Sequence, residues 1–219
     1  MRHHWRRGAK SVHNSDYVLK LALRSTFVNK VEADTCFDLF AGTGTYCQAI
    51  YRDRFCRVVA VEKLNKHLAD YPQGDSITAY QGDNTLLAPG LCAKHGFPDF
   101  IDADAFGNPD APILRMLPWL RGKERFALVA TDGTWSARTS FVTAPQCWGY
   151  GDVHWSPCSV SWDDYPVLIY RHWEEWFGKH GYGIEDFEWH RPTHKVKVVY
   201  YGLVAVKQST GTPYPERVE

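Results

Sequence analysis

The sequence predicts an α/β fold: a mostly parallel sheet with helices on both faces. Short apolar runs alternate with helical stretches over roughly 100 residues, the pattern of repeated βαβ units. Those runs are apolar almost throughout, as strands covered on both faces are. Polar residues crowd their C-terminal ends, where open α/β sheets bind ligands.

The elements follow in order. Asn14-Ser15-Asp16 can cap a helix that continues through Tyr17 to Arg24, with apolar groups at helical spacing. Thr35 to Phe40 is a first strand, ended by Ala41-Gly42-Thr43-Gly44-Thr45. A helix is expected from about Tyr46 to Arg52. Arg57 to Val61 is a second strand and stops at Glu62. A short helix from Asn65 to Tyr71 ends at Pro72. Ile77 to Tyr80 is a third strand, stopped by Gly82-Asp83, and Phe97 to Ala103 a fourth. Ala111 to Leu117 is helical, with Pro112 tolerable in its first turn. Phe126 to Ala130 is a fifth strand.

Residues 133–161 break the pattern, being rich in Gly, Pro, Ser and Trp. They read as a lid or substrate loop, or as a merely structural one. Asp163 can cap a helix running to about His180, whose aromatic stripe (Tyr165, Tyr170, Trp173, Trp176, Phe177) reads as core. Glu185 to His190 and Lys195 to Lys207 alternate like strands and form a terminal antiparallel hairpin. The organisation expected is a basic arm (1–13), one domain (14–207) and a tail (208–219) that frays.

Composition narrows the class. The 219 residues fit one ordinary domain, and 44% hydrophobic against 23% charged is globular rather than disordered. Basic and acidic residues balance at 25 each, which excludes a uniformly basic nucleic-acid-coating protein. The first 30 residues hold seven basic side chains (Arg2, Arg6, Arg7, Lys10, Lys20, Arg24, Lys30) against Asp16 alone. That run is either a solvated tail or a nucleic-acid-binding arm, with Trp5 as a stacking ring. The six cysteines form no CxxC pair, as in a reducing compartment. Cys147, His154 and Cys158 match no familiar zinc spacing, so no metal is expected. The basic start lacks a following apolar stretch, and no window of 18 residues is continuously apolar. A cytoplasmic protein with no membrane association is expected.

Three strand ends suggest a nucleoside site. Asp38-Leu39-Phe40-Ala41-Gly42-Thr43-Gly44 places glycines at a strand-to-helix turn, where a backbone can approach a ligand closely. Cys47 stands where a dinucleotide fingerprint needs its third glycine, and no GxxxxGK[ST] is present. Glu62, 18 residues after Gly44, can accept from both hydroxyls of a ribose. Asp83 can accept from an adenine amino group. Either acid alone is as readily an ordinary surface carboxylate.

These residues resemble the class I S-adenosylmethionine-dependent methyltransferases. Asp38 through Gly44 is similar to their first motif, Glu62 to their ribose-binding acid and Asp83 to their adenine-edge acid. The resemblance runs from about residue 14 to residue 207. It implies a Rossmann-like seven-stranded sheet ending in the antiparallel hairpin. It also implies S-adenosylmethionine as cofactor, bound by Asp38, Ala41, Gly42, Gly44, Glu62 and Asp83.

The fourth strand narrows the target. Asp102-Ala103-Asp104-Ala105-Phe106-Gly107 resembles the Asp-x-Asp-Pro-[Phe/Tyr]-Gly of the tRNA guanine-N2 dimethyltransferases, and Ala130-Thr131-Asp132 resembles their Ala-Thr-Asp. Ala105 replaces the proline of that pattern, and the chain has no room for those enzymes' extra C-terminal domain. The resemblance implies methyl transfer to an exocyclic base nitrogen, with guanine N2 standing first and RNA preferred over DNA. Asp104 would accept from the amine and Phe106 would stack on the base, with Asp102 supporting Asp104. The alternative for both is that Asp104 caps a helix and Phe106 packs beneath it. Ser15 and Tyr17 would close over the cofactor, and Asp132 and Trp135 would line the target pocket. A DNA amino methyltransferase, a small-molecule N-methyltransferase and a non-catalytic RNA-binding protein remain open.

Overall fold

The computed structural model describes residues 14–105, 107–133, 162–192 and 198–209. Five strands run parallel: β1 (Thr35–Asp38), β2 (Arg57–Glu62), β3 (Ile77–Gln81), β4 (Phe100–Asp104) and β5 (Arg125–Asp132). The last two, β6 (Tyr182–His190) and β7 (Val199–Lys207), form the expected antiparallel hairpin. The order across the seven-stranded sheet is β3-β2-β1-β4-β5-β7-β6, with β7 antiparallel to both neighbours.

Helices cover both faces. Helices α4 (Asn84–His95), α5 (Asp110–Met116) and α6 (Tyr165–Gly178) pack on Phe37, Leu39, Val59, Ile101, Leu128 and Leu203. The opposite face, with Cys36, Val58, Phe100, Val129 and Val204, is covered by α1 (Asn14–Val28) and by a π-helical turn (Cys47–Tyr51). That turn runs into the three-residue helix α2 (Arg52–Arg54), so the helix expected after the glycine loop is wound more loosely than an α-helix. The short helix expected after β2 is α3 (Asn65–Leu68). Burying each large apolar side chain of these layers contributes ~1.5–3 kcal/mol.

Strand alternation explains where the polar groups go. Side chains two apart share a face, so Asp38, Asp102 and Asp104 fall with Cys36 and Phe100 on the α1 side. Gly202 on β7 lets α1 come close. A Cβ there would stand 2.4 Å from ring carbons of Phe27. This contact seats α1 against the sheet over β5 and β7.

Several local expectations are corrected. α4 is a helix of 12 residues in a stretch to which the sequence reading assigned no element, and Pro89 stands inside it. Asp163 does not cap α6; it pairs with Arg191 at 2.7 Å, and Asp164 precedes the helix without a side-chain cap. The aromatic stripe behaves as core: Tyr165, Trp173 and Phe177 are buried. Gln208 is still anchored, its N–H donating to the Gly181 carbonyl at 2.8 Å. The expected arm, Trp135, His154, Cys147 and Cys158 lie outside the described residues, as do 134–161 and 210–219.

Candidate active site

The glycine loop leaves β1 and turns under β2. Gly42 and Gly44 both take the left-handed backbone that favours glycine, at φ 54° and 78°. Their surroundings differ. A Cβ at Gly42 would meet open space, whereas one at Gly44 would stand 2.2 Å from Pro72 Cδ. Gly42 is therefore the place where a ligand can approach the backbone, and Gly44 is a packing position. The Ala41 N–H donates to the Val61 carbonyl at 3.0 Å, and the Gly44 N–H to the Ala41 carbonyl at 2.9 Å. Beside the loop a cleft of about 580 Å³ opens between Tyr17, Thr43, Thr45, Gln48, Ala49 and Asp70. That size suits a small-molecule site.

Glu62 ends β2 and reaches back to the loop. One oxygen accepts from the Gly42 N–H at 2.8 Å, the other from the Leu64 N–H at 2.7 Å. Each oxygen keeps a second lone pair. Asp83 caps α4, accepting from the Thr85 N–H at 3.0 Å, while its other oxygen lies 3.4 Å from Lys63 Nζ. Asn84 beside it donates to the Leu39 carbonyl at 2.9 Å, tying α4 to the end of β1.

Asp38 is buried and braces the loop indirectly, accepting from the Tyr71 hydroxyl at 3.0 Å. Tyr71 also packs on Gly44, so one ring links strand end and turn. Burial, and then the charge of neighbouring Asp102, hold the Asp38 carboxyl well above its ordinary pKa.

Asp102 and Asp104 are met by α1. Arg24 takes both oxygens of Asp102, at 2.8 and 2.7 Å, and the Tyr51 hydroxyl donates to it at 2.6 Å. Lys20 Nζ lies 2.5 Å from Asp104 Oδ1, to which the Thr131 hydroxyl also donates. Asp104 Oδ2 has Arg24 at 3.6 Å. Two residues along a strand and four along a helix each span roughly 6–7 Å, so the two pairs form matching rungs. Burial alone would raise the Asp104 pKa, but the charges of Arg24 and Lys20 outweigh it and the carboxyl is held low. The Arg24 guanidinium lies 3.8 Å from the centre of the Tyr46 ring, whose ring stacks on Tyr17 at 5.8 Å.

The geometry thus gathers Ala41, Gly42, Gly44, Glu62 and Asp38 around the loop, with Asp83 at the edge of the sheet and Asp104 at the end of β4. Phe106 lies outside the described residues. Asp102 supports the site by holding Arg24. Asp132 is buried and accepts from the Tyr165 hydroxyl at 2.9 Å. Sequence reasoning gave no site role to Lys20, Arg24 or Tyr71, and it quoted Thr131 only as part of the Ala-Thr-Asp resemblance. The signal for two of them was present as basic residues four apart, but it identifies no partner by itself.

No family model matches the chain, and no curated protein matches its sequence. Solved structures do. The chain has the fold of the class I S-adenosylmethionine-dependent methyltransferases, as the motifs implied. A Streptococcus thermophilus protein that carries the name hemolysin aligns over 92% of this chain and 70% of its own, at 12% identity and a TM-score of 0.58. Trm1 from Pyrococcus horikoshii, solved with S-adenosyl-L-methionine, aligns over 90% of this chain at 13% identity and a TM-score of 0.55. This chain spans 57% of that one. N-methyltransferase NodS from Bradyrhizobium japonicum WM9 aligns over 90% of this chain and 98% of its own, at 8% identity and a TM-score of 0.54. Among the described residues, no helix is long and apolar enough to cross a membrane, and no three His, Cys, Asp or Glu side chains cluster to hold a metal.

Proposed function

We propose that this protein transfers a methyl group from S-adenosylmethionine to an exocyclic amino nitrogen of a nucleic-acid base, guanine N2 in tRNA or another RNA. The observation that carries the reading is the row of carboxylates at the carboxyl edge of the sheet: Asp38, Glu62 and Asp104 at strand ends, Asp83 capping α4. Three loop N–H groups, those of Ala41, Gly42 and Gly44, are already spent inside the protein. Such a loop suits a cationic sulfonium nucleoside better than a pyrophosphate, which needs free N–H donors.

The residues present fit that cofactor. Gly42 offers an open backbone face, Glu62 a spare acceptor on each oxygen for the ribose, and Asp83 an acceptor for the adenine edge. Bound there, the cofactor supplies an activated methyl group. Asp104 accepts from the substrate amine, orients the nitrogen lone pair and stabilises the positive charge that develops on it. Thr131 and Arg24 fix the carboxylate for that task. Phe106, two residues on, stacks on the base, contributing ~1–3 kcal/mol. Residues 1–13 supply basic charge for a polynucleotide, 14–207 the catalytic domain and 133–161 a lid.

The RNA assignment rests on the resemblance of Asp102 through Gly107 to the guanine-N2 pattern. A small-molecule N-methyltransferase is the second reading, favoured by Ala105 standing where the tRNA pattern has proline. The test is transfer of labelled methyl to separate pools of unmodified tRNA, other RNA, duplex DNA and small metabolites. Label in tRNA recovered as N2-methylguanosine supports the proposal. Label confined to DNA or metabolites overturns the substrate.

A further inference from the structure

We propose that Asp104, Thr131 and Tyr200 form an ammonium subsite and that Lys20 is its resident occupant, which gives way to the substrate's amino group. The second half rests on the methyl-transfer reading; the subsite itself does not.

The two rungs between α1 and β4 are built differently. Arg24–Asp102 is two-pronged, with side chains 1% and 0% exposed, and Tyr51 adds a third hydrogen bond. It ties the helix to β4 without Lys20. Lys20–Asp104 is one-pronged, with side chains 14% and 18% exposed, at the strand end where ligands bind. Its ammonium sits 4.9 Å from the centre of the Tyr200 ring. A carboxylate on one side and an aromatic face on the other make a cage for a cationic nitrogen. The Thr131 hydroxyl bonds the same Asp104 oxygen, so the cage is held in shape independently of Lys20.

Lysine suits a temporary occupant. Its ammonium is a point charge on a flexible stem, and it can swing out to water without breaking a planar fork. The cage also fits what methylation makes. The amine nitrogen uses its lone pair to form the new N–C bond as the S–C bond breaks, the electrons of that bond staying on sulfur. The nitrogen then carries a positive charge and sheds a proton to water. A site shaped for ammonium binds that developing charge more tightly than the neutral amine, which is the condition for catalysis. The substrate class is therefore a primary amine that turns cationic on reaction.

The test has two arms. Lys20→Ala removes the stem and ammonium, and n-propylammonium replaces the missing atoms. Propylammonium at tens of millimolar should raise the melting temperature of Lys20→Ala by about 2 °C or more, where sodium chloride at equal ionic strength does not. Lys20→Met, whose stem fills the channel, should not respond, nor should Lys20→Ala/Asp104→Asn. Equal response in all variants, or none in Lys20→Ala, overturns the subsite. The second arm uses methyl transfer to tRNA and needs no destabilised protein. Lys20→Arg keeps the charge but binds carboxylate in a two-pronged fork, so it should raise KM roughly tenfold. A merely structural cation would leave KM unchanged in Lys20→Arg, and that result overturns the exchange. Rescue without transfer to any pool overturns the proposed reaction and leaves the subsite supported.

Discussion

Arg24 crosses from α1 to take both carboxylate oxygens of Asp102 on β4, and both side chains are buried. Asp102 has no role at an open site, yet it fixes the helix that places Lys20 beside Asp104. Breaking a buried pair from one side leaves an uncompensated charge. Arg24→Met should therefore cost about 3–5 kcal/mol in a denaturant melt. Arg24→Lys should recover only part of this, because one ammonium cannot serve both oxygens and lie flat on Tyr46. Full recovery would show that the charge alone matters.

The centre of the sheet was legible because its strands are buried on both faces and read as apolar runs: Val58 to Val61 and Phe126 to Ala130 are buried throughout. The strand-end acids were legible for the complementary reason, since Glu62 and Asp104 interrupt such runs. α4 was not legible, because Pro89-Gly90 divides its 12 residues into fragments that look like breaks. The partners of Lys20 and Arg24 were not legible either. Their spacing matches that of Asp102 and Asp104, but the spacing does not say that α1 lies over β5 and β7, with Phe27 on Gly202, within reach of those acids.

The two glycines of the loop should separate on substitution. Gly44→Ala meets the strain of a left-handed backbone and the Pro72 ring together, each costing about 1–3 kcal/mol. Gly42→Ala carries the backbone strain, about 1–2 kcal/mol, with no clash. Gly44→Ala should therefore melt lower. Gly42→Ala should lose more affinity for S-adenosylmethionine per unit of stability lost, because its methyl projects into the open face. Equal melting temperatures would reject the division of roles.

Asp38 gives a pH dependence of defined sign. Its carboxyl titrates well above the ordinary carboxylate value of 3.8 in the folded protein. Between those two values the folded state holds a proton that the unfolded chain has released. Stability contributed by this group is thus greatest in acid and declines as pH rises through the window. Asp38→Asn cannot ionise and can still accept from Tyr71. The stability difference between variant and wild type should grow in the variant's favour as pH rises from about 4 toward neutrality. A difference independent of pH would show that Asp38 is not held protonated by burial and by Asp102.

Glu62 has two tasks in one side chain, and a single substitution does not tell them apart. It braces the backbone by accepting from Gly42 and Leu64, and it offers its remaining lone pairs to a ribose. Glu62→Ala removes both. Leaving a backbone N–H unpaired costs roughly 1–3 kcal/mol, so a fall in melting temperature is expected whether or not a ribose binds. The ribose task is isolated by comparing S-adenosylhomocysteine with its 2′,3′-dideoxy analogue in calorimetric titrations. Wild type should prefer the full ribose by roughly tenfold or more, the worth of a charge-assisted hydrogen bond. Glu62→Ala should bind both weakly and nearly equally, since the acceptor that told them apart is gone. If the preference survives in Glu62→Ala, the hydroxyls are recognised elsewhere, and Glu62 serves only to hold the loop.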